Sequence, residues 1–186
     1  LYAKITPSGG ACEYVVPFTY GSCPQVATAT ETMTWTGAVS TDWANACNWS
    51  PNGVPTATNP VIINNVTNDP VISGTAACLW ATIQNAGHLT IANTGALTVT
   101  TDLATFVRGI DIGSNATLTN NGTLTATTSS NVFVILLNDN ASFNNSGTTT
   151  LASAHTCISF SGNNCNFTNT ATGIVNFQAG FGFSYR

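Results

Sequence analysis

Four stretches in the second half of the chain repeat one pattern of apolar and polar positions, with the every-second-residue alternation of β-strands. They are HLTIANTGALTV from His88, NATLTNNGTLTA from Asn115, NASFNNSGTTTL from Asn140 and NCNFTNTATGIV from Asn164. Their central apolar residues, which follow one another after 27, 25 and 24 positions, are Ile91, Leu118, Phe143 and Phe167. A period in the mid-twenties without helical spacing indicates a solenoid whose coils each supply two or three short strands.

The predicted fold is all-β: a right-handed parallel β-helix, or β-solenoid, with an N-terminal Trp-rich cap. The handedness follows from the general rule for parallel crossovers, and successive coils should stack about 4.8 Å apart. An asparagine stands two positions after each central apolar residue, which predicts a stacked ladder of side-chain amides at a tight turn. The members of this ladder are Asn93, Asn120, Asn145 and Asn169. A glycine column two residues later, ending in Ala171, fits the same corner.

Three tryptophans crowd the segment that precedes the first coils: Trp35, Trp43 and Trp49. A solenoid exposes unpaired strand edges and an apolar column at each end, so its ends need a cover. We therefore predict an N-terminal extension or small disulfide cap over 1–33, a Trp-rich capping segment over 34–60 and β-helix coils over 61–186. A sugar-binding aromatic platform is the alternative for the tryptophans, although such platforms are more often spread along an exposed face.

Composition limits the classes of partner. Only 5% of the residues are charged, and the formal net charge is −4 with three basic residues. Three cations cannot neutralise a run of phosphates, so nucleic acid is not an expected partner. No apolar run reaches the roughly 20 residues that span a bilayer, so membrane insertion is not expected.

Six cysteines without a metal-type Cys-x-x-Cys pair indicate disulfides formed in an oxidising compartment. Proximity along the chain favours the pairs Cys12–Cys23, Cys47–Cys78 and Cys157–Cys165. Seven Asn-x-Ser/Thr sequons, Asn48 among them, arise largely from the composition and carry little weight. We therefore expect a secreted or cell-surface protein.

Candidate catalytic chemistry is sparse. Asp111 and Asp139 lie twenty and twenty-one residues after Ile91 and Leu118. On neighbouring coils they would form a carboxylate pair for glycosidic cleavage or calcium binding. Their flanks DIGSN and LNDN are typical of turns, which favours solvated turn acids, and the two histidines stand at different offsets in their coils. We predict no catalytic residue, no metal site and no cofactor.

Threonines alternate with apolar residues in the repeats and predict outward-facing rows. The clearest of these positions are Thr117, Thr119, Thr123, Thr125 and Thr127. Regular threonine rows on a solenoid can bind ice or polysaccharide, so a carbohydrate- or ice-binding surface protein is the alternative function. A polysaccharide-degrading β-helix enzyme is a less favoured one. The simpler explanation is that threonine, β-branched and polar, suits the solvent face of a strand.

The C-terminal sequence GIVNFQAGFGFSYR stays apolar and aromatic throughout. An uncapped solenoid end invites another copy to stack on it or to add a strand. The N-terminal LYAKITP alternates apolar residues on one face, which makes it a candidate donated strand. The residues expected to mediate assembly are Leu1, Ala3, Ile5, Phe177, Phe181, Phe183 and Tyr185.

Residues 34–99 resemble a module of cell-surface and secreted proteins of Bacteroidetes-type bacteria. The matching elements are WTG, DW, NW, GVPTATNPVII, PVISG and LTIANTGALTVT. In that family the module opens a threonine-rich β-helical region, often in large adhesin-like proteins exported by the type IX secretion route. The terminal FQAGFGFSYR does not resemble the C-terminal sorting domain that such proteins often carry.

The resulting expectation is a non-catalytic extracellular structural protein, either the subunit of a surface filament or the stalk segment of an adhesin. Its main expected partner is a copy of itself, in a head-to-tail homo-oligomer or filament. Surface glycans are the second expected class of partner.

Overall fold

The computed structural model describes residues 2–5, 14–17, 23, 25–101, 108–129, 133–178 and 180–185. Within these ranges the chain forms short β-strands, one turn of 3-10 helix at Ala46–Asn48 and no α-helix. In chain order the strands are β1 (Tyr2–Ile5), β2 (Tyr14–Pro17), β3 (Met33–Trp35), β4 (Trp49–Ser50), β5 (Val61–Ile63), β6 (Val71–Ile72), β7 (Thr75–Cys78), β8 (Ala81–Ile83), β9 (His88–Ile91), β10 (Ala96–Thr101), β11 (Ile110–Ile112), β12 (Thr117–Asn120), β13 (Thr123–Thr128), β14 (Ile135–Leu137), β15 (Ser142–Asn145), β16 (Thr148–Ser153), β17 (Thr156–Phe160), β18 (Asn166–Asn169), β19 (Ile174–Gln178) and β20 (Phe181–Tyr185).

Three parallel sheets, here called walls, enclose the interior, and from β5 onward each coil adds one strand to each wall. Wall 1 contains β6, β9, β12, β15 and β18; wall 2 contains β7, β10, β13, β16 and β19; wall 3 contains β3, β5, β8, β11, β14, β17 and β20, with the antiparallel β4 at its edge. The chain winds through about six turns. The predicted parallel β-helix is confirmed, while the hand of its winding stays a prediction.

The interior consists of continuous apolar columns, because strand alternation points every second side chain inward. In wall 1 the fully buried Leu89, Leu118 and Phe143 stack in register above one another, and Phe167 follows them. In walls 2 and 3 the same stacking runs through Val99–Ala126–Leu151–Phe177 and Ile110–Ile135–Ile158–Phe183. The apolar pattern of the sequence is therefore the pattern of the core.

A ladder of amides runs beside these columns, at the last inward position of wall 1. Asn120 donates from Nδ2 to Oδ1 of Asn145 at 2.9 Å, and Asn145 donates in turn to Oδ1 of Asn169 at 2.7 Å. Asn120 and Asn145 are fully buried. The buried hydroxyl of Thr149 accepts from Asn120 at 3.0 Å and donates to Asn145 at 2.8 Å. Three of the four predicted ladder residues thus form the ladder.

The fourth, Asn93, was placed wrongly. Ile91 pairs with Asn120, so the position one coil before Asn120 is apolar, and Asn93 lies exposed in the following turn. The comparison of the repeats placed Ile91 beside Leu118, whereas the structure places Leu89 there, two residues earlier. The turn after β9 is two residues longer than the turn after β12, so Gly95 and Gly122 still align in spite of this error.

The glycine column itself is confirmed, with one correction. The amides of Thr123, Thr148 and Ile174 donate to the carbonyls of Gly95, Gly122 and Gly147, so these glycines stack one per coil. The next member is Gly173, directly before Ile174, and not Ala171 as predicted. A Cβ on Gly122 or Gly147 would overlap the carbonyl of the glycine below, which explains the absence of a side chain.

A second asparagine column occupies the corner that precedes wall 1. Asn115, Asn140 and Asn164 have φ of 61°, 56° and 55°, the left-handed conformation that asparagine tolerates. The amide of Asn164 donates to Oδ1 of Asn140 at 3.2 Å. The tight turn predicted for the first ladder therefore belongs to this second column, on the surface.

The disulfide prediction was wrong in its pairing. Cys23 is bonded to Cys47, across a separation of 24 residues, which excludes both Cys12–Cys23 and Cys47–Cys78; Cys12 lies outside the described residues. Cys78 is a buried thiol in the inward column of Val99, and Cys165 is a free thiol that donates to backbone carbonyls, so the pair Cys157–Cys165 is not formed either. In a solenoid, residues one coil apart approach each other, whereas neighbours along the chain diverge.

The predicted donated strand at the N-terminus is already paired. Ala3 and Ile5 lie in β1, which pairs antiparallel with β2 in a separate two-stranded sheet. Leu1 lies outside the described residues. One edge of β1 is thus occupied within this chain.

Replacing Asn145 by Ala should lower the free energy of unfolding by about 2–3 kcal/mol, because Thr149 and Asn120 lose buried hydrogen-bond partners. The matched control is Asn144→Ala, in the same strand but facing outward, which should cost less than about 0.5 kcal/mol. Denaturant unfolding measures both, and equal losses would contradict the buried ladder.

The thiols should differ in reactivity. Burial raises the pKa of Cys78 to about 12, so thiolate is scarce there at neutral or mildly alkaline pH, and the thiolate is the reactive form. Brief treatment of the folded protein with iodoacetamide at pH 8 should modify the half-buried Cys165 and spare Cys78, as mass mapping would show. Modification of Cys78 as fast as Cys165 would argue against its placement in the core.

Candidate functional site at the two ends of the solenoid

The Trp-rich cap is a compact cluster of indoles at the end where the stack begins. Trp35, Trp43 and Trp49 are only 1–2% exposed. The ring of Trp49 meets Trp43 edge-on at 4.6 Å and Trp35 edge-on at 5.0 Å, while Trp35 and Trp43 are nearly parallel at 6.5 Å. Such burial leaves no aromatic face for a sugar, so the capping prediction is confirmed over the platform alternative.

Asn48 fixes the loop that carries these rings. Its Oδ1 accepts from the amides of Val39 and Ser40, and its Nδ2 donates to Oγ of Ser40 and the carbonyl of Asp42. The side chain is fully buried, so this sequon is closed to modification in the folded protein. Sequence reasoning treated Asn48 only as a sequon, although its position among the tryptophans was a usable signal.

The cap also closes strand edges. β4 pairs antiparallel with β3 and is the last strand of wall 3 at this end. Asp42 forms a bridge to Val71, the first residue of wall 1, and the amide of Val71 donates to the carbonyl of Thr41 at 2.7 Å. Two of the three walls are thus covered at the cap end, wall 3 by an antiparallel strand and wall 1 by a single parallel bridge.

The opposite end is different, because all three walls finish in the same coil. β18, β19 and β20 are the outermost strands of walls 1, 2 and 3, and within the described residues no strand pairs with their outer edges. The backbone groups on these edges and the interior side chains of this coil therefore face outward together.

Aromatic rings fill the interior of this terminal coil, one from each wall. The ring centroid of Phe183 lies 5.8 Å from that of Phe167 and 5.1 Å from that of Phe177. The same ring stacks on Phe160 of the coil below, with the centroids 6.2 Å apart. The exposed fraction is 38% for Phe177 and 49% for Phe183, although both stand in columns that are fully buried one coil earlier. The rings form an aromatic plug that is open on one side.

Two further aromatic residues extend the open end. Phe181 is 70% and Tyr185 is 78% exposed, and both belong to β20. All four C-terminal residues predicted for assembly therefore lie on one end of the molecule. Phe167, the central apolar residue of the last repeat, is also part of the plug.

The two predicted acidic residues have separate hydrogen-bond partners. Asp111 stands beside Leu136 in the register of wall 3, forms an ion pair with Arg108 and accepts from Nδ2 of Asn138 at 2.7 Å. Asp139 lies in a turn, where it accepts from the amide of Asn163 at 2.7 Å. Each carboxylate has a local structural role. The prediction of a turn acid is confirmed for Asp139 and wrong for Asp111, which lies in β11.

The described residues contain no group of three or more His, Cys, Asp or Glu placed to hold a metal ion. A cleft between Trp43 and β7 has a volume of about 30 Å³, far below the roughly 300–1,000 Å³ of typical ligand sites. Over the same ranges, no helix has the length and apolar character that crossing a bilayer requires.

Over the described residues, these observations define a β-solenoid with a covered end and, opposite it, an end whose three outermost strand edges are unpaired. The family described as Domain of unknown function (DUF8693) matches residues 34–158, more than half of the chain, and the chain belongs to this family. The match begins in β3 and ends in β17, so it covers the cap and the central coils. Comparison with curated proteins and with solved structures finds no significant match.

The indole nitrogens of the cap give a test of its geometry. Nε1 of Trp35 donates to the carbonyl of Asn68 at 2.7 Å, whereas the buried Nε1 of Trp43 has no hydrogen-bond partner in the described part of the chain. Both Trp→Phe changes shrink a buried ring, but only Trp35→Phe also breaks a hydrogen bond. Trp35→Phe should therefore lower the free energy of unfolding by about 1 kcal/mol more than Trp43→Phe. Denaturant titration of both variants measures the difference, and a larger loss for Trp43→Phe would contradict this geometry.

Proposed function

We propose that this protein is a non-catalytic, secreted or cell-surface structural protein, a stalk or filament module that assembles through its open terminal coil. The observation that carries the proposal is the contrast between its ends. Tryptophans, the antiparallel β4 and the loop at Asp42 cover one end, whereas the other presents three strand edges around an open aromatic plug. The disulfide Cys23–Cys47 and the very low charge are consistent with an extracellular setting.

Two kinds of interaction favour occupation of the open end. The edge strands β18, β19 and β20 offer backbone donors and acceptors to an added strand. The rings of Phe177, Phe181, Phe183 and Tyr185 offer apolar area, and burying even about 200 Å² of it contributes roughly 5 kcal/mol at 25 cal/mol per Å². Nanomolar association requires about 12 kcal/mol after ordering costs, so strand pairing and ring burial must act together.

The occupant that the geometry favours is the same coil of a second copy. Head-to-tail stacking would require the covered edges of walls 1 and 3 at the cap end to accept strands. Two open ends meeting face to face avoid the cap and give a closed two-fold dimer, whereas a head-to-tail contact would give an open filament. The two-fold dimer would double the length of a stalk, and the head-to-tail filament would extend it indefinitely.

The structural role also agrees with the state of the acidic residues. A glycosidase pair requires two carboxyl groups that face one bond. Asp111 in β11 instead bonds to Arg108 and Asn138, and Asp139 in a turn bonds to Asn163. This supports a non-catalytic protein.

Light scattering at rising protein concentration should show a mass near twice the 19.2 kDa of the chain. The double variant Phe181→Glu/Tyr185→Glu should remain monomeric, because it places charges on the most exposed residues of the open end while leaving the plug intact. Val39→Glu, at a 52% exposed apolar residue of the cap, is the matched control and should assemble normally.

Large polymers that the double variant abolishes would favour the head-to-tail filament. An unchanged mass in the double variant, or a monomer at all concentrations, would refute assembly through this coil. Circular dichroism of all variants excludes misfolding as the cause.

A further inference from the structure

The outward face of wall 2 carries a regular grid of small hydroxyl and methyl side chains. In the register of β10, β13 and β16, three outward columns each contain one residue per strand. The columns are Ala96–Thr123–Thr148, Thr98–Thr125–Thr150 and Thr100–Thr127–Ala152. We call these nine residues the threonine grid. None of them is buried, and none carries a charge.

The other two walls differ from this composition over the same coils. In wall 1 the outward positions of β9, β12 and β15 include His88, Ser142 and Asn144 beside threonines. In wall 3 the central column passes from Thr82 to Asp111 and then to the buried Leu136. Walls 1 and 2 have the same strand alternation, so β-propensity alone does not account for three neighbouring strands with only Thr and Ala outward. The grid ends at β19, whose outward residues are Ile174, Asn176 and Gln178.

The free hydroxyls of the grid distinguish it from inward and corner threonines, a property that it shares with Thr117 and Thr119 of wall 1. Inward or corner threonines use their hydroxyls within the protein: Thr101 donates to the carbonyl of Leu79, Thr94 to Ser73 and Thr149 to Asn145. In contrast, the seven grid hydroxyls have no hydrogen-bond partner among the described residues. They are therefore available to a partner outside the molecule.

The spacing of the grid is fixed in two dimensions. Neighbouring strands lie about 4.8 Å apart, and alternate residues along a strand about 6.6 Å apart. Threonine is stiff at χ1, so the hydroxyls and methyls hold this lattice with little loss of entropy on binding. A matching partner is itself a rigid two-dimensional array of hydrogen-bonding groups without charge, and ordered water at an ice surface has this chemistry.

We propose that wall 2 is an ice-binding face on which the threonine grid docks to the water lattice of ice. This function is independent of assembly through the terminal coil. A polysaccharide surface fits less well, because sugar rings stack on aromatic side chains and the grid contains none. A second copy also fits less well, because the grid covers on the order of 300 Å², well below the roughly 800 Å² per partner of stable interfaces.

The test is partition of the full chain into slowly grown ice, with the protein measured in the ice and in the remaining liquid. Wild type should be enriched in the ice, whereas Thr125→Lys should lose the enrichment, because a long charged side chain at the centre of the grid holds the face away from the lattice. The matched control is Thr119→Lys. Thr119 lies on the same coil and is equally half-exposed, but it belongs to wall 1, so this variant should keep the enrichment in ice. Thr98→Lys, at a more exposed grid position, provides a second variant should Thr125→Lys fold poorly.

Absence of enrichment in wild type, or equal loss in the wall 1 and wall 2 variants, would overturn the proposal. Retention on cellulose or chitin powder that depends on Thr125, without enrichment in ice, would replace ice by polysaccharide. The double variant Phe181→Glu/Tyr185→Glu should partition like wild type, so failure of ice binding and failure of assembly remain distinguishable.

Discussion

Backbone hydrogen bonds between successive coils hold each residue directly above its equivalent one coil earlier. This constraint turns a loose repeat of 24–29 residues into continuous columns, since every side chain must be compatible with the one below it. Apolar columns then need no specific pairing, but a polar residue inside must meet another polar residue. Asn120, Asn145 and Thr149 satisfy that requirement by bonding to one another. A buried amide is tolerated here because the register supplies its partner.

The same constraint creates the problem of the ends. Each coil satisfies the edge of its neighbour, so the first and last coils are left with unpaired edges and uncovered interior side chains. At the first coil, three indoles and the side chain of Asn48 fold a loop over the interior. At the last coil, Phe167, Phe177 and Phe183 fill the interior without closing it. The two ends of the solenoid therefore differ, although its walls repeat regularly.

Much of the fold could be predicted from the sequence, because solenoid repeats carry the information locally. Strand alternation identified the inward columns, and the Asn and Gly offsets located the corners. Register between coils was harder, because turns of unequal length compensate for shifted strands, as at Asn93. The cysteine pairs failed for a related reason: contact in this fold joins residues about one coil apart, and Cys23–Cys47 has that separation. The contacts of Asp111 with Arg108 and Asn138 depend on the directions in which the side chains extend, and spacing along the chain does not reveal these directions.

The corner after wall 1 has the same length in two consecutive coils, Asn-Asn-Gly at 120–122 and Asn-Ser-Gly at 145–147. Their coils also begin with the same left-handed asparagine, Asn115 and Asn140. Each coil therefore presents to the next the same surface that it receives from the one before. A gene segment encoding such a coil could be duplicated or deleted in frame without breaking either asparagine column. The length of the rod is thus open to evolutionary change in whole coils, while the cap and the terminal coil stay as they are.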